Sequence, residues 1–196
     1  MSRNDSKQRI EHEAAELLSR DGYNGMGLKA LSEATGLPVG SIYHHFPGGK
    51  DEIASAAIAS TAEAIARLLT ALLADGVTDD AIGRMFGFMA ERLEATDWVA
   101  GCVVGTPALD DPTPAPDDPT PAPDVLAACA SGFEHLSEPI VAALVREGRS
   151  AGDAQDLAMT LLAAYEGATI LARAQKSRAP LDAATASMIR LVRLTR

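Results

Sequence analysis

The stretch from Leu28 to Phe46, LKALSEATGLPVGSIYHHF, constrains this chain more than any other. Leu28, Leu31 and Ala34 recur at steps of three, one apolar stripe of a short helix. Gly36 follows at once, where a helix end favours a residue at ease in the left-handed conformation. Pro38 stands where a second helix can begin, because a first-turn proline forfeits no hydrogen bond that the helix needs. Ile42 and Phe46, four apart, give that second helix its buried face and turn Ser41, Tyr43, His44 and His45 elsewhere. Two short helices about a glycine turn make a helix-turn-helix, whose second helix has the shape to enter the major groove of DNA.

The rest of the chain points to helices as well. Of its 196 residues 47% are hydrophobic, mostly alanine and leucine, and only 4% are aromatic, which favours helix over strand and predicts an all-α fold of about nine helices. No run of 18 apolar residues occurs, and the polar start MSRNDSKQ is followed by no hydrophobic segment, so neither a membrane span nor a signal peptide is expected. Cys102 and Cys129 lack metal-ligand spacing, and free thiols in the cytoplasm are the simplest reading. The net charge of −10 argues against nucleic acid until it is located. Residues 1–50 carry six basic and six acidic side chains, so the whole excess lies in residues 51–196, with 11 basic against 21 acidic. An acidic body held away from phosphate fits that asymmetry, yet the first 50 residues are neutral rather than basic.

A first helix is predicted from about Ser6 to Arg20, with Ile10, Ala14, Leu17 and Leu18 at helical spacing and Asp21-Gly22 as its stop. After the Pro47-Gly48-Gly49 turn, a long linking helix occupies residues 51–75, with Asp51 and Glu52 complementing its dipole. Its apolar positions include Ile53, Ala57, Ile58, Ile65, Leu68, Leu69, Leu72 and Leu73. The helix from about Thr78 to Ala95 shows the stripe Ile82, Met85, Phe86, Met89 and Leu93, with Phe88 beside it. Residues 98–109 are less regular. Residues 110–116, DDPTPAP, are then repeated letter for letter at 117–123. Six prolines exclude a helix over 110–124, and composition makes a solvated, disordered loop the expectation there.

 

Asp124 is placed to cap the next helix, whose stripe Leu126, Cys129, Phe133, Leu136, Ile140 and Leu144 runs to Arg149 with a kink at Pro139. Gly152-Asp153 opens another, with Leu157, Leu161, Ala164, Ala168 and Leu171 on one face, and Pro180-Leu181-Asp182 starts the last, carrying Ala184, Met188, Leu191 and Val192.

Motifs of catalysis are missing. The chain has no GxSxG, HExxH, CxxC or phosphate-binding loop, and Gly49-Lys50 lacks the upstream glycine and the following Ser or Thr. Nothing in the residues asks for a cofactor or metal. Glu166 stands among apolar neighbours (AAYEGATILAR) and reads either as a partner of Arg173, seven residues on, or as a polar anchor in a ligand cavity. Met85, Phe86, Met89, Trp98, Cys102, Phe133, Leu136 and Tyr165 gather most of the adaptable and aromatic side chains in the second body. Core packing accounts for each, and as a group they also suit a cavity for an apolar ligand.

Gly22-Tyr23, the turn Ala34-Thr35-Gly36-Leu37 and the run from Gly40 to Lys50, GSIYHHFPGGK, resemble the N-terminal domain of TetR-type transcriptional repressors, and YHHFPGGK is most similar to the LmrA/YxaF branch. Residues 98–105, WVAGCVVG, look like that branch's GCPVG segment with Val103 in place of proline, and Tyr165-Glu166-Gly167-Ala168 with Leu171-Ala172-Arg173 resembles its EGA…LAR signature. The resemblance implies a helix-turn-helix domain at 1–50 and a ligand-binding and dimerisation domain at 51–196. It implies base contacts from Val39, Gly40, Ser41, Tyr43, His44 and Lys29, and phosphate contacts from Tyr43, His45 and Lys50. It places Met85, Phe86, Met89, Trp98, Cys102, Phe133, Leu136, Tyr165 and Glu166 in an effector pocket. Two departures stand out: Gly27 replaces the usual Ser or Thr cap, and Pro38-Val39 replaces a common Ser-Lys pair, which removes a charge.

The expected protein is thus a homodimer joined through its last two helices, released from a palindromic DNA operator by a small hydrophobic effector, with no cofactor and no membrane partner. The rival expectation is a helical small-molecule carrier or enzyme whose helix-turn-helix is merely structural. A third is an activator or nucleoid-type protein that binds DNA without a palindromic preference.

Overall fold

A computed structural model describes residues 3–110 and 125–195, and every regular element among them is a helix. They are α1 (Arg3–Gly25), α2 (Leu28–Thr35), α3 (Val39–His45), α4 (Gly49–Leu72), α5 (Asp79–Ala95), α6 (Gly105–Ala108), α7 (Val125–Arg146), α8 (Ala151–Gln175) and α9 (Ala179–Leu194). The DDPTPAP repeat, apart from its first aspartate, and the Asp124 cap lie outside the described residues. The helices pack as two compact units, the described parts of Met1–Ala62 with Val103–Phe133, and of Glu63–Cys102 with Glu134–Arg196. The chain crosses between them three times, inside α4, between Cys102 and Val103, and inside α7.

The first unit is built under the helix-turn-helix. Ile10, Ala14 and Leu18 of α1, Leu31 of α2, Ile42 and Phe46 around α3, and Ile53, Ala57 and Ile58 of α4 are all excluded from solvent. Gly22 takes φ +70° and breaks the helical path of α1, so the stop expected at Asp21-Gly22 is present although a further turn follows it. Gly132 of α7 has a packing reason. A Cβ there would stand 3.1 Å from Val104 and 3.4 Å from Ile58, so only glycine allows this close approach. By length and hydropathy α4 alone among the described helices could cross a membrane, but its inner face supplies Ile53, Ala57, Ile58 and Ala62 to this core.

In the second unit α5 packs against α8 and α9. The predicted α5 stripe is buried throughout, and Thr78 caps the helix by accepting the Ala81 N–H at 3.1 Å. Ser150 caps α8 in the same way through Asp153 N–H, also at 3.1 Å. Between α5 and Cys102 the backbone turns through two successive left-handed residues, Asp97 (φ 51°) and Trp98 (φ 65°), and the Trp98 N–H closes the turn on Leu93 O at 2.7 Å. Helix α7 runs continuously through Pro139 and ends at Arg146, three residues before the expected stop.

Several expected faces are corrected. Ala34 is exposed and Thr35 takes its place in the core, because α2 needs a group that can also close the following turn. Leu68 and Leu126 are exposed, and so is Leu171, whose place in the α8 core is taken by Ala172. Helix α8 buries the face that carries Leu157, Leu161, Ala168 and Ala172.

Candidate functional site

The α2–α3 turn is held by side chains that apolar spacing does not reveal. Gly36 takes the left-handed conformation, φ 64° and ψ 17°, as the turn requires. Thr35 Oγ1 donates to Leu31 O at 2.7 Å and accepts the Leu37 N–H at 3.3 Å, while Ser32 Oγ donates to Leu37 O at 2.7 Å. Buried polar groups in the turn are thus paired within it. Pro38 then starts α3, its carbonyl accepting from the N–H groups of Ser41 and Ile42 at 2.8 and 3.2 Å. Gly27, as the departure at that position requires, leaves α2 without a side-chain cap.

With Ile42 and Phe46 inside, the opposite side of α3 faces out. Val39, Gly40, Tyr43 and His44 are exposed, and Ser41 and His45 are half-buried. A Cβ at Gly40 would meet nothing, so the start of α3 is open to a bulky partner. The His44 and His45 rings meet edge to face with centroids 5.6 Å apart. On α2, Lys29 is exposed and forms no ion pair among the described residues, whereas Arg20 is bound to Asp21 at 2.6 Å.

Lys50 differs from the other predicted phosphate contacts. Its ammonium lies 4.1 Å from the centre of the Tyr23 ring, a cation–π contact, and Tyr23 in turn donates its hydroxyl to Asp51. Burial pushes the Lys50 pKa down, against the opposing pull of Asp51 and Asp110. The residue is therefore partly committed inside the protein, and Tyr23, a partner that helical periodicity gave no reason to choose, orients it.

Among the residues expected in an effector pocket, Phe86 is linked to Tyr165, and Cys102 to Glu166 and Tyr165. Met85, Phe86, Met89, Cys102 and Leu136 are buried in the second unit, where Phe86 meets Tyr165 edge to face at 5.5 Å between centroids. Trp98 and Tyr165 are half-buried. Phe133 belongs to the first unit and is not part of this grouping. The partner of Glu166 is the Cys102 thiol, rather than the expected Arg173, and its Oε1 is buried without a hydrogen bond. Burial raises the Glu166 pKa, with the Cys102 hydrogen bond opposing it. Burial likewise raises the Tyr165 pKa, helped by Cys102 and Glu166, while Arg92 pulls it back. Arg92 has the place of a neighbouring cation that the sequence pattern did not single out.

An all-helical chain whose helix-turn-helix exposes the outer side of its second helix defines a DNA-binding regulator by its architecture. Family models sharpen this. Residues 10–57 match the tetR family of bacterial regulatory proteins, and residues 78–187 match the C-terminal domain of LmrA/YxaF-like transcriptional regulators. The chain belongs to the TetR family of transcriptional regulators, in its LmrA/YxaF-like group. It is 27% identical over 182 residues to the HTH-type transcriptional regulator YxaF of Bacillus subtilis, covering 92% of this chain and 91% of that protein. It is 29% identical over 184 residues to LmrA of the same organism, covering 92% and 93%. A solved TetR regulator from Legionella pneumophila shares the fold with a TM-score of 0.80 at 22% identity, covering 97% of this chain and 98% of that one. A second, from Rhodobacter sphaeroides, superposes with a TM-score of 0.77 at 25% identity over 94% and 97%. These relatives are regulators, not enzymes, and regulators of this family bind operator DNA and act as dimers.

Proposed function

We propose that the chain is a homodimeric repressor that leaves a palindromic operator when a small hydrophobic effector binds. The observation that carries this reading is the outer side of α3, where Val39, Gly40, Tyr43 and His44 are exposed above a core anchored by Ile42 and Phe46. Residues 1–50 serve as the reading head, with Val39, Gly40, Ser41, Tyr43, His44 and Lys29 toward bases and Tyr43, His45 and Lys50 toward phosphate. Residues 51–196 serve effector binding and dimerisation, in the cytoplasm where the operator is. Met159, Ala163, Gly167, Ile170 and Ala174 form an exposed apolar stripe along α8 at steps of four and three, which suits pairing with a second copy through α8 and α9. Two such copies set their α3 helices roughly 34–36 Å apart, one turn of DNA.

Met85, Phe86, Met89, Trp98, Cys102, Leu136, Tyr165 and Glu166, with Phe133 as an outlying member, are the proposed effector residues. The effector acts by binding the DNA-released state more tightly, and a shift from 1:99 to 99:1 needs about 10⁴-fold preference. Fluorescence anisotropy tests the reading with duplexes from the intergenic DNA upstream of the chain's own gene. A folded dimer that binds no palindrome even at low salt rules it out.

A further inference from the structure

We propose that Asp110 is a positioning residue of the DNA-reading head, holding the turn before α2 from outside the head's own sequence. The proposal rests on the DNA-facing role given to residues 1–50. Asp110 is the first residue of the duplicated DDPTPAP segment, where an acidic residue before prolines reads at first only as a solvated loop. The structure gives it defined partners. Its Oδ2 accepts the Asn24 N–H at 3.0 Å, 86 residues away in sequence. A Cβ at Gly22 would collide with the same oxygen, so the glycine that breaks α1 also makes room for this carboxylate.

Asp110 is itself held in place. Its N–H donates to Pro107 O at 3.1 Å in the last turn of α6, and Pro107 is buried. Helix α6 packs on α1, where Thr106 Oγ1 donates to Ser19 O at 3.3 Å. The carboxylate therefore reaches the α1–α2 turn from a short helix fixed on α1. Its charge is also felt at Lys50, where Asp110 and Asp51 both favour the ammonium form. One side chain thus holds the backbone that leads into α2.

Two substitutions in the full chain separate the hydrogen bond from the charge. Asp110→Asn keeps an acceptor oxygen and removes the charge, while Asp110→Ala removes both. Amide hydrogen exchange read by NMR should be about 3- to 10-fold faster at Asn24 in Asp110→Ala, the loss of one hydrogen bond, and near wild type in Asp110→Asn. Anisotropy with a 30-base-pair upstream duplex at low salt compares the two variants on DNA. Asp110→Ala should bind more weakly than Asp110→Asn, because the two share a charge and differ in the acceptor. Equal exchange at Asn24 in all three proteins, or equal DNA affinity of Asp110→Asn and Asp110→Ala, overturns the proposal. A wild-type chain that binds no duplex defeats the DNA reading instead, and the exchange measurement still decides whether Asp110 holds the turn.

Discussion

Substituting Gly40 with alanine should raise stability and weaken operator binding together. Gly40 is the second residue of α3, has no left-handed φ, and offers open space where a Cβ would go. Alanine there costs nothing in packing and removes backbone freedom from the unfolded chain, a gain of about 0.5–1 kcal/mol. For a chain of this size that is a rise in Tm of about 1–4 °C, measured at fixed protein concentration because dimerisation shifts the melt. On DNA the same methyl would stand between the start of α3 and the base edges. An extra methyl in a close-fitting contact costs about 1–3 kcal/mol, about 5- to 150-fold in affinity per protomer. Gly36→Ala is the control. Its left-handed φ of 64° costs alanine about 1–2 kcal/mol, although the nearest atom to the new Cβ, Arg9 Nη2, is an ordinary 3.6 Å away. Calorimetry and anisotropy on the two variants should therefore move in different directions. Loss of stability in Gly40→Ala refutes the open helical environment, and unchanged operator affinity refutes the placement of α3 in the groove.

Ile170→Lys puts a charge in the exposed α8 stripe and should give a monomer by light scattering with its helical circular dichroism retained; a stable dimer would remove α8 from the interface. Thr35→Val should cost about 0.5–1.5 kcal/mol in urea melts, because it removes the hydrogen bond to the part-buried Leu37 N–H. Burial raises the Glu166 pKa above its ordinary 4.5, so its contribution to stability is full below that value and is lost as pH rises through the higher folded value. Glu166→Gln cannot ionise, so it should gain stability relative to wild type as pH rises above about 4.5; a difference independent of pH refutes the burial argument. If Lys29 and Lys50 are the main phosphate contacts, a dimer neutralises about four phosphates, and its salt slope of about −3.6 means about 150-fold weaker binding from 50 to 200 mM salt. A slope near about −8 would mean cations beyond those two.

Much of the architecture was legible because helical periodicity reports burial directly. The α5 stripe from Ile82 to Leu93 reads as core and is core, and Gly36 reads as a left-handed turn and is one. The errors share one cause. Periodicity ranks positions by apolar side chains, so it chose Ala34 over Thr35 and Leu171 over Ala172, while the fold chose a hydroxyl that closes a turn and a small side chain that fits between helices. Leu68 fails for a related reason: an apolar residue on a long helix is also free to face outward. The candidate DNA face was legible only on α3. The ring under Lys50, the thiol against Glu166 and the carboxylate at Asn24 come from residues 27, 64 and 86 positions away, and no local pattern carries such pairings.

The charge of the reading head shows what those distant pairings change. Counted by sequence, residues 1–50 are neutral and hold six cations. Counted by structure, those cations are not equal. Arg20 is bound to Asp21, Lys7 faces Glu11 at 4.0 Å, and Lys50 is partly desolvated against Tyr23 with Asp51 and Asp110 nearby. Lys29 and Arg9 are exposed and form no ion pair among the described residues. A head with few such cations gains modestly from phosphate alone, since that term grows with the number of cations engaged. On the proposed reading, its affinity then comes from groove contacts that depend on an accurately held α3, and from doubling those contacts in a dimer. Both requirements draw on residues beyond position 50: α4 continues the head from Gly49, Asp110 holds its turn, and α8 presents the apolar stripe. If residues 1–50 read DNA as proposed, the head still packs within a larger unit, and a fragment cut at Lys50 would lose Asp51, Thr106 and Asp110 together.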